Sequence, residues 1–374
     1  MNLLLSLLVL CQTNLRSQNG LTGLTSQTSQ TSQTSQTGQT SQTNWPRAVV
    51  AYSLIPGLVW PGAGHFCAGD DDGARKLTWW GLAGLGLAAA GGIPLMLTNS
   101  SRHATWLPVS ALWLGAGTFL TAKFADWFGT ALGGTGARAA PPPPWEVQAG
   151  LLWSDDALTD VHALGTLSAR THWRNWHAAA AAELAPSGED RRLLLRLGRR
   201  FGLPAAGSGD PAAGAPDGSF WEASAGVTDW RFGQDPVRLT TFELWIEHRR
   251  DLAGVHPTLA GSFVQAGLGF GLEFAGYPGM DTFGDGERSR LALGYFEYGV
   301  FLGKGAGEIA FYYDQRHDTR AGGLMLHISG DGPAGAVGLR GRHRLTDRWF
   351  LTWDAARGAH WVVGLGLGWQ GGSW

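Results

Sequence analysis

Cysteine is nearly missing: Cys11 and Cys67 are the two in 374 residues. That excludes a disulfide-stapled scaffold, and two cysteines without other ligands at metal spacing exclude a zinc module. Lysine is scarce as well, with Lys76, Lys123 and Lys304 among 28 cationic residues, an arginine bias that reads as genomic base composition. Charged residues make up 16% of the chain and the net charge is −2, against about 25% charged in an ordinary soluble domain. No basic excess exists to support a nucleic-acid partner. The mean hydropathy of −0.07 is far too low for a multi-pass helical membrane protein. Aromatics at 11% are too many for a disordered chain, and glycine does not recur at every third position as collagen requires. No glycine-rich phosphate loop opens a helix, and the histidines show no metal spacing, so neither cofactor nor metal is expected.

What is abundant is glycine and tryptophan. Glycine occurs 57 times, roughly twice the usual ~7%. Tryptophan occurs 19 times, more than Phe at 16 or Tyr at 6. Many aromatics, much glycine and little charge fit a membrane β-barrel, where apolar outward residues alternate with small or polar inward ones. A Trp-rich soluble β-protein is the rival on composition alone.

The chain divides by composition. Residues 1–20 read as a signal segment: the run LLLSLLVL at 3–10 is too short to span a bilayer and fits a secretory h-region. Met1-Asn2 supplies no Lys or Arg ahead of it, and the large Leu10 before Cys11 argues against lipid attachment. Residues 21–44 form a Thr/Ser/Gln repeat with nothing apolar to order it, hence a flexible tether. Residues 45–134 hold three apolar stretches, 48–64, 77–97 and 104–122, of which the last two reach transmembrane length. They predict a module of two or three helices. Gly81, Gly84, Ala88 and Gly92 offer a small face for close helix packing. Loop charges of both signs give no firm orientation. Residues 135–144, with Pro141 to Pro144, make a stiff linker.

Within this module PGAGHFCAG at 61–69 resembles the motif of small bacterial membrane hairpin domains of unknown function. Pro61, Gly62, Gly64, His65, Phe66 and Gly69 carry the match, and Cys67 occupies a variable position. His65 is expected to cap backbone groups in a tight glycine-rich turn; ligand or proton carrier is the alternative.

From residue 145 to 374 the period becomes two. In WEVQAGLLW, Trp145, Val147, Ala149, Leu151 and Trp153 share a face; in WVVGLGLGW, Trp361, Val363, Leu365, Leu367 and Trp369 do, opposite three glycines. Each row carries Trp at both ends. Eight steps at ~3.3 Å give ~26 Å, or about 20 Å in height at a 40° tilt, close to the ~25 Å apolar band between aromatic girdles. The expected interface aromatics are Trp145, Trp153, Trp349, Trp353, Trp361 and Trp369. Thirteen candidate strands can be drawn, including one at 322–330; single-chain bacterial barrels have even numbers, so one is split or false and about 12 remain. The fold class expected is membrane all-β: an antiparallel up-and-down barrel of about 12 strands, preceded by the small helical module. Alternation assigns Arg192, Arg196, Arg200, Glu243, Glu247, Gln265, Glu273, Glu308, Asp314, Arg348 and Asp354 to the lumen. The long connections at 203–218 and 276–287 are both expected on the outer surface.

The strand pattern resembles bacterial outer-membrane β-barrels, which end on an alternating strand with a terminal aromatic. Val363, Leu365, Leu367 and Trp369 fit, although QGGSW follows. The resemblance implies export to the outer membrane, with its lipids and the barrel-assembly machinery as partners. Retention in the inner membrane by the helices at 77–122 is the alternative location. One catalytic lead stands out. His327-Ile328-Ser329 resembles the His-x-Ser of outer-membrane phospholipases and lipid A deacylases, with His as base and Ser as nucleophile. Here Leu324, Leu326 and Ile328 take the apolar row, which turns His327 and Ser329 inward, so a lumen hydrogen-bonding pair is the competing reading. The function expected is a channel or transport barrel for small polar solutes, without soluble-enzyme chemistry. The alternatives are a lipid hydrolase using His327 and Ser329, and a closed-lumen scaffold binding a partner through its loops.

Overall fold

In the computed structural model, residues 57, 60–97, 106–132, 142–155, 162–188, 190–202, 219–232, 237–277, 287–302, 306–316, 320–321 and 335–371 are described. The signal segment, the tether, most of the linker, His327 and Ser329 lie outside them. The chain forms two compact units. One contains the helices together with Leu252–Ala260, a segment that in sequence lies inside the range expected for the barrel; the other contains the strands.

The helical unit is built on α1 (Ala63–Cys67), α2 (Asp71–Leu97) and α3 (Trp106–Leu132). Gly62 enters α1 at φ 88°, a conformation costly for any residue with a Cβ. α2 is long and apolar enough to cross a membrane, and little of it is buried. α2 and α3 touch through their backbones. A Cβ on Gly84 would strike the backbone of Phe119, one on Gly91 that of Leu112, and one on Gly115 that of Ala88. The small face toward α3 is therefore Gly84, Ala88 and Gly91, while Gly81 packs against Pro61. Gly92 does not belong to it, because a 3.6-residue period advances three residues after four.

The glycine-rich turn is organised by a carboxylate the motif does not contain. Asp126 of α3 accepts the backbone N–H of Gly64 at 3.0 Å and of His65 at 2.9 Å, and bonds His65 Nδ1 at 2.7 Å. His65 and Asp126 are both fully buried. The expectation that His65 caps the turn is thus corrected: Asp126 caps it, and the imidazole links Asp126 and Thr130 on one side to Thr258 Oγ1 at 3.1 Å on the other.

The strands are β1 (Trp145–Ser154), β2 (Ala163–Trp173), β3 (Trp176–Leu184), β4 (Arg191–Phe201), β5 (Phe220–Arg231), β6 (Arg238–Asp251), β7 (Ser262–Gly276), β8 (Glu287–Leu302), β9 (Gly307–Asp314), β10 (Ala336–Arg344), β11 (Trp349–Arg357) and β12 (Trp361–Gly371). Each pairs antiparallel with its sequence neighbours, and β1 pairs β12 from Trp145↔Gly371 to Ser154↔Val362, closing the ring. Twelve of the thirteen expected strands are staves. The candidate at 322–330 lies outside the described residues, and β9 pairs β10 directly, so the ring closes without it.

Alternation sorts the side chains. In β1, Val147, Leu151 and Trp153 are exposed, whereas Glu146 and Ser154 are buried. The same holds for Leu193, Leu195 and Leu197 on β4, for Phe242, Leu244 and Ile246 on β6, and for Val363, Leu365 and Leu367 on β12. A continuous apolar outer wall of this size is what a hydrocarbon environment requires.

Direction of travel corrects one expectation. Connections in an up-and-down ring alternate between the two ends. The segment after β4 leaves at the end that holds Trp145 and Gly371, and the segment after β7 leaves at the opposite end. The loops at 203–218 and 276–287 therefore cannot share one surface.

Two outcomes are expected. Cysteines at Ala149 and Leu367, partners across the closing pair, form an intramolecular disulfide in the detergent-solubilised protein, while Ala149→Cys with Trp361→Cys does not. Asp126→Ala strands two buried N–H groups and a buried imidazole, a loss of about 3 kcal/mol, read as earlier thermal loss of the helical circular-dichroism signal. Asp126→Asn, which keeps an acceptor, loses less.

Candidate functional site

The interior of the ring is ionic. Of thirteen carboxylates in the strands, Asp229 alone points outward; the other twelve are on inward rows with eight arginines. Some pair with the adjacent strand, and five reach a partner two or three strands away, so those bonds run as chords inside the curve of the wall.

One cluster joins β3 to β7. Arg196 bonds Glu247 and Ser224, and reaches Glu222 at 3.4 Å. Arg200 Nε donates to Glu222 at 2.9 Å, His177 lies 3.5 Å from the same carboxylate, and Gln265 donates to Glu247 at 2.8 Å. A second cluster joins β8 to β11. Arg340 pairs with Glu297, whose other donor is the Tyr295 hydroxyl, and the Tyr312 hydroxyl donates to Asp354 at 3.0 Å. A third closes the seam: Arg342 of β10 donates to Glu146 of β1 at 2.7 Å and to Gln370 at 2.8 Å. Arg249 of β6 stretches to Glu308 of β9 at 3.6 Å while lying over the Phe263 ring.

Inward glycines do not simply widen the lumen. Several receive a large ring from the neighbouring strand. A Cβ on Gly269 would strike Trp245, one on Gly299 Phe263, one on Gly338 Tyr312 and one on Gly368 Phe350. The rings are thereby laid flat along the wall instead of pointing to the axis.

At the end of the ring opposite Trp145, three described residues of the connection between β9 and β10, Arg316, Arg320 and Ala321, bond to the wall at separate points, and Arg320–Ala321 is called the strap below. Arg316 bonds Asp314 and lies 3.6 Å from Glu243 of β6. Five positions on, the Ala321 carbonyl accepts the His360 N–H at the β11–β12 turn, and Ala321 packs with Ala336, Ala356 and Val362. The Arg320 side chain extends to the far arc of the ring. It donates to both oxygens of Asp190 in the β3–β4 turn, at 2.8 and 2.6 Å, and to Glu183 at 3.0 Å. Its guanidinium lies 4.6 Å from the Trp230 ring, whose Nε1 also donates to Asp190. Arg320 and Asp190 are buried. This strap is the most built feature of the lumen.

The sequence-derived lumen residues Arg192, Arg196, Arg200, Glu243, Glu247, Gln265, Glu273, Glu308, Asp314 and Asp354 all stand on inward rows by register. Arg348 does not: it sits in the exposed β10–β11 turn, where the Thr346 hydroxyl accepts its N–H. Alternation in that region starts at Trp349, one residue later. Trp145, Trp153, Trp349, Trp361 and Trp369 lie near strand ends on outward rows. Trp353 faces outward but at mid-height, paired with Leu365. Glu222, Glu297, Arg340, Arg342, Asp190 and Arg320 were not among the expected residues. The first four are legible by extending the alternation of β5, β8 and β10. Asp190 and Arg320 lie in connections, where no period exists. The aromatic end of the wall also includes Trp173, Trp176, Phe201 and Trp221, all exposed. The candidate catalytic pair His327 and Ser329 lies outside the described residues, and among those residues no cluster has metal-ligand character.

A closed antiparallel ring with an apolar outside and an ionic inside is a membrane-spanning β-barrel of the outer-membrane kind. Neither a family model nor a curated protein matches the sequence. Among solved structures, a KdgM porin in complex with disordered oligogalacturonate is similar at 6% identity, covering 61% of this chain and 99% of that one, with a TM-score of 0.38. The NanC porin matches at 11% identity over 61% and 100%, with a TM-score of 0.37. The outer-membrane protein Omp33 of Acinetobacter baumannii matches at 10% identity over 61% and 98%, with a TM-score of 0.33.

Arg320→Ala should raise single-channel conductance in planar bilayers, and Arg320→Lys, which keeps the charge but not the paired N–H bonds, should fall between it and wild type. Equal conductance in all three would remove the strap from any control of passage.

Proposed function

We propose that the chain is an outer-membrane passage barrel for small polar solutes, with a preference for cations. The observation that carries this reading is the sorting of charge: twelve of thirteen strand carboxylates face the interior, outnumbering the inward arginines by twelve to eight. An eight-strand ring is just filled by its own side chains, and sixteen strands leave an aqueous channel. Twelve strands fall between, and here the inward aromatics are laid along the wall over glycines. A barrel with a purely mechanical role has no need of so many ionisable groups inside. A path lined by an excess of one sign in low-dielectric walls concentrates counter-ions of the other sign.

The strap fits the same reading as a size limit at one mouth. The Arg320 side chain reaches across the ring to Asp190 and Glu183, so a solute must pass beside its guanidinium. The helical unit, the export route and the assembly machinery are part of the proposal at the level of location only: an exported chain placed in the outer membrane. A hydrolase role for His327 and Ser329 has no supporting observation among the described residues.

In a tenfold KCl gradient across a planar bilayer, the reversal potential should report a cation-over-anion permeability ratio of about 3 or more. Glu247→Gln with Glu297→Gln should move that ratio toward 1. Conductance that is absent under all conditions would favour the closed scaffold; anion preference would overturn the charge argument.

A further inference from the structure

The outer wall carries a second charge pattern, independent of the lumen. At the end of the ring that holds the strap, five arginines stand on outward rows: Arg191 on β4, Arg231 on β5, Arg238 on β6, and, beyond β7, Arg288 and Arg290 on β8. Three are in direct line, since Arg191 pairs with Arg231 and Arg231 with Arg238. Like charges placed opposite one another across strands are unfavourable. One carboxylate shares the patch, Asp229, 2.6 Å from Arg238 and 3.9 Å from Arg231. Among the described residues the outward rows at this end thus carry five arginines and one carboxylate, and the buried Arg191 Nε has no hydrogen-bond partner among them.

Below this line the same strands are hollowed. Leu195, Val227 and Phe242 are themselves a register line, four residues along from the three arginines, about 13 Å at ~3.3 Å per residue. They form the near edge of a concave, mainly apolar depression of about 700 Å³ that continues over Ala178, Ala180 and Ala225 to Trp145 and Val147 toward the opposite end of the wall. The depression exists because those outward positions of β3 and β5 carry methyl groups where neighbouring strands carry Leu or Phe.

Guanidinium groups aligned above a hollow in an apolar wall match one kind of ligand. We propose that this face binds a lipid whose headgroup bears more than one phosphate, with the phosphates on Arg191, Arg231 and Arg238 and an acyl chain in the depression. Arginine pairs phosphate oxygens through two parallel N–H bonds, and strand spacing of ~4.8 Å sets the three side chains over about 10 Å, wider than a single phosphate. The placement on strands, bordering the wall that faces hydrocarbon, selects a lipid over a protein partner. The proposal goes beyond passage through the lumen and does not depend on it.

The test uses the full-length chain in a neutral detergent, titrated with bis-phosphorylated lipid A, monophosphoryl lipid A, phosphatidylglycerol and phosphatidylcholine, with binding read by native mass spectrometry. The expected order is bis-phosphorylated first, monophosphoryl and phosphatidylglycerol weaker, phosphatidylcholine last. Arg191→Gln, Arg231→Gln and Arg238→Gln together should weaken the first by tenfold or more. The corresponding Lys triple, which keeps the charge and loses the paired N–H bonds, should bind between the Gln triple and wild type, and Arg199→Gln with Arg250→Gln, at the other end of the wall, should retain all of it. Ala180→Phe should weaken binding without any change in charge. Heat-dependent gel migration reports that each variant is folded, and unchanged bilayer conductance separates this face from the lumen. Wild-type affinity in the Gln triple, or equal binding of phosphatidylcholine, would overturn the site; equal binding of phosphatidylglycerol and bis-phosphorylated lipid would overturn the multi-phosphate assignment.

Discussion

Hydrocarbon offers no hydrogen-bond partner to a backbone N–H or C=O, and the barrel follows from that one requirement. Strands satisfy it only when none is an edge, so β1 must find β12. Closure in antiparallel order makes the strand number even. It also fixes which connections share an end, and thereby brings the β3–β4 turn and the β9–β10 strap to the same mouth. The Arg320–Asp190 pair is a consequence of this parity as much as of the two side chains.

Once the backbone is satisfied, the side chains must sort by face, and each face follows its own logic. Outside, Leu, Val and Phe meet lipid and the aromatics gather near strand ends. Inside, carboxylates and arginines are too costly to bury singly and are held in networks. Glu222 serves Arg196, Arg200 and His177; Glu297 serves Arg340 and Tyr295. Such networks stabilise less than their number suggests, because desolvation offsets much of the attraction. Their stronger effect is to fix where each chain lies. The glycines under Trp245, Phe263, Tyr312 and Phe350 do the same for the inward rings.

Much of this was legible in the sequence because a strand has a period of two and the outer wall writes it plainly. WEVQAGLLW and WVVGLGLGW announced both closing strands, and the even-number rule showed that one candidate was surplus without saying which; the direct pairing of β9 with β10 leaves 322–330 out of the ring. Ten of the eleven expected lumen residues sit on inward rows; Arg348 fails because it lies one residue before its strand resumes the alternation. What was hidden was long-range. Nothing near PGAGHFCAG points to Asp126, 61 residues from His65, and nothing near Arg320 points to Asp190, 130 residues away. The two long loops were assigned to one surface by length alone; counting strands between them would have separated them.

The strap shows how the forces divide. Its apolar anchorage is Ala321 against Ala336, Ala356 and Val362. Burying a few methyl groups at about 0.8 kcal/mol each supplies only a few kcal/mol, and it carries no direction. Arg320 contributes direction. Its two donors to Asp190 and one to Glu183 specify where the guanidinium lies, and the Trp230 face closes the remaining side. Removing Arg320 would leave Glu183 with Arg192 and Asp190 with the Trp230 N–H as their remaining partners, and apolar contact cannot replace the directed bonds that are lost. The charge pair therefore decides the position of the strap, and apolar packing only holds what the charges have placed. That ties the strap to the same electrostatics that line the rest of the lumen.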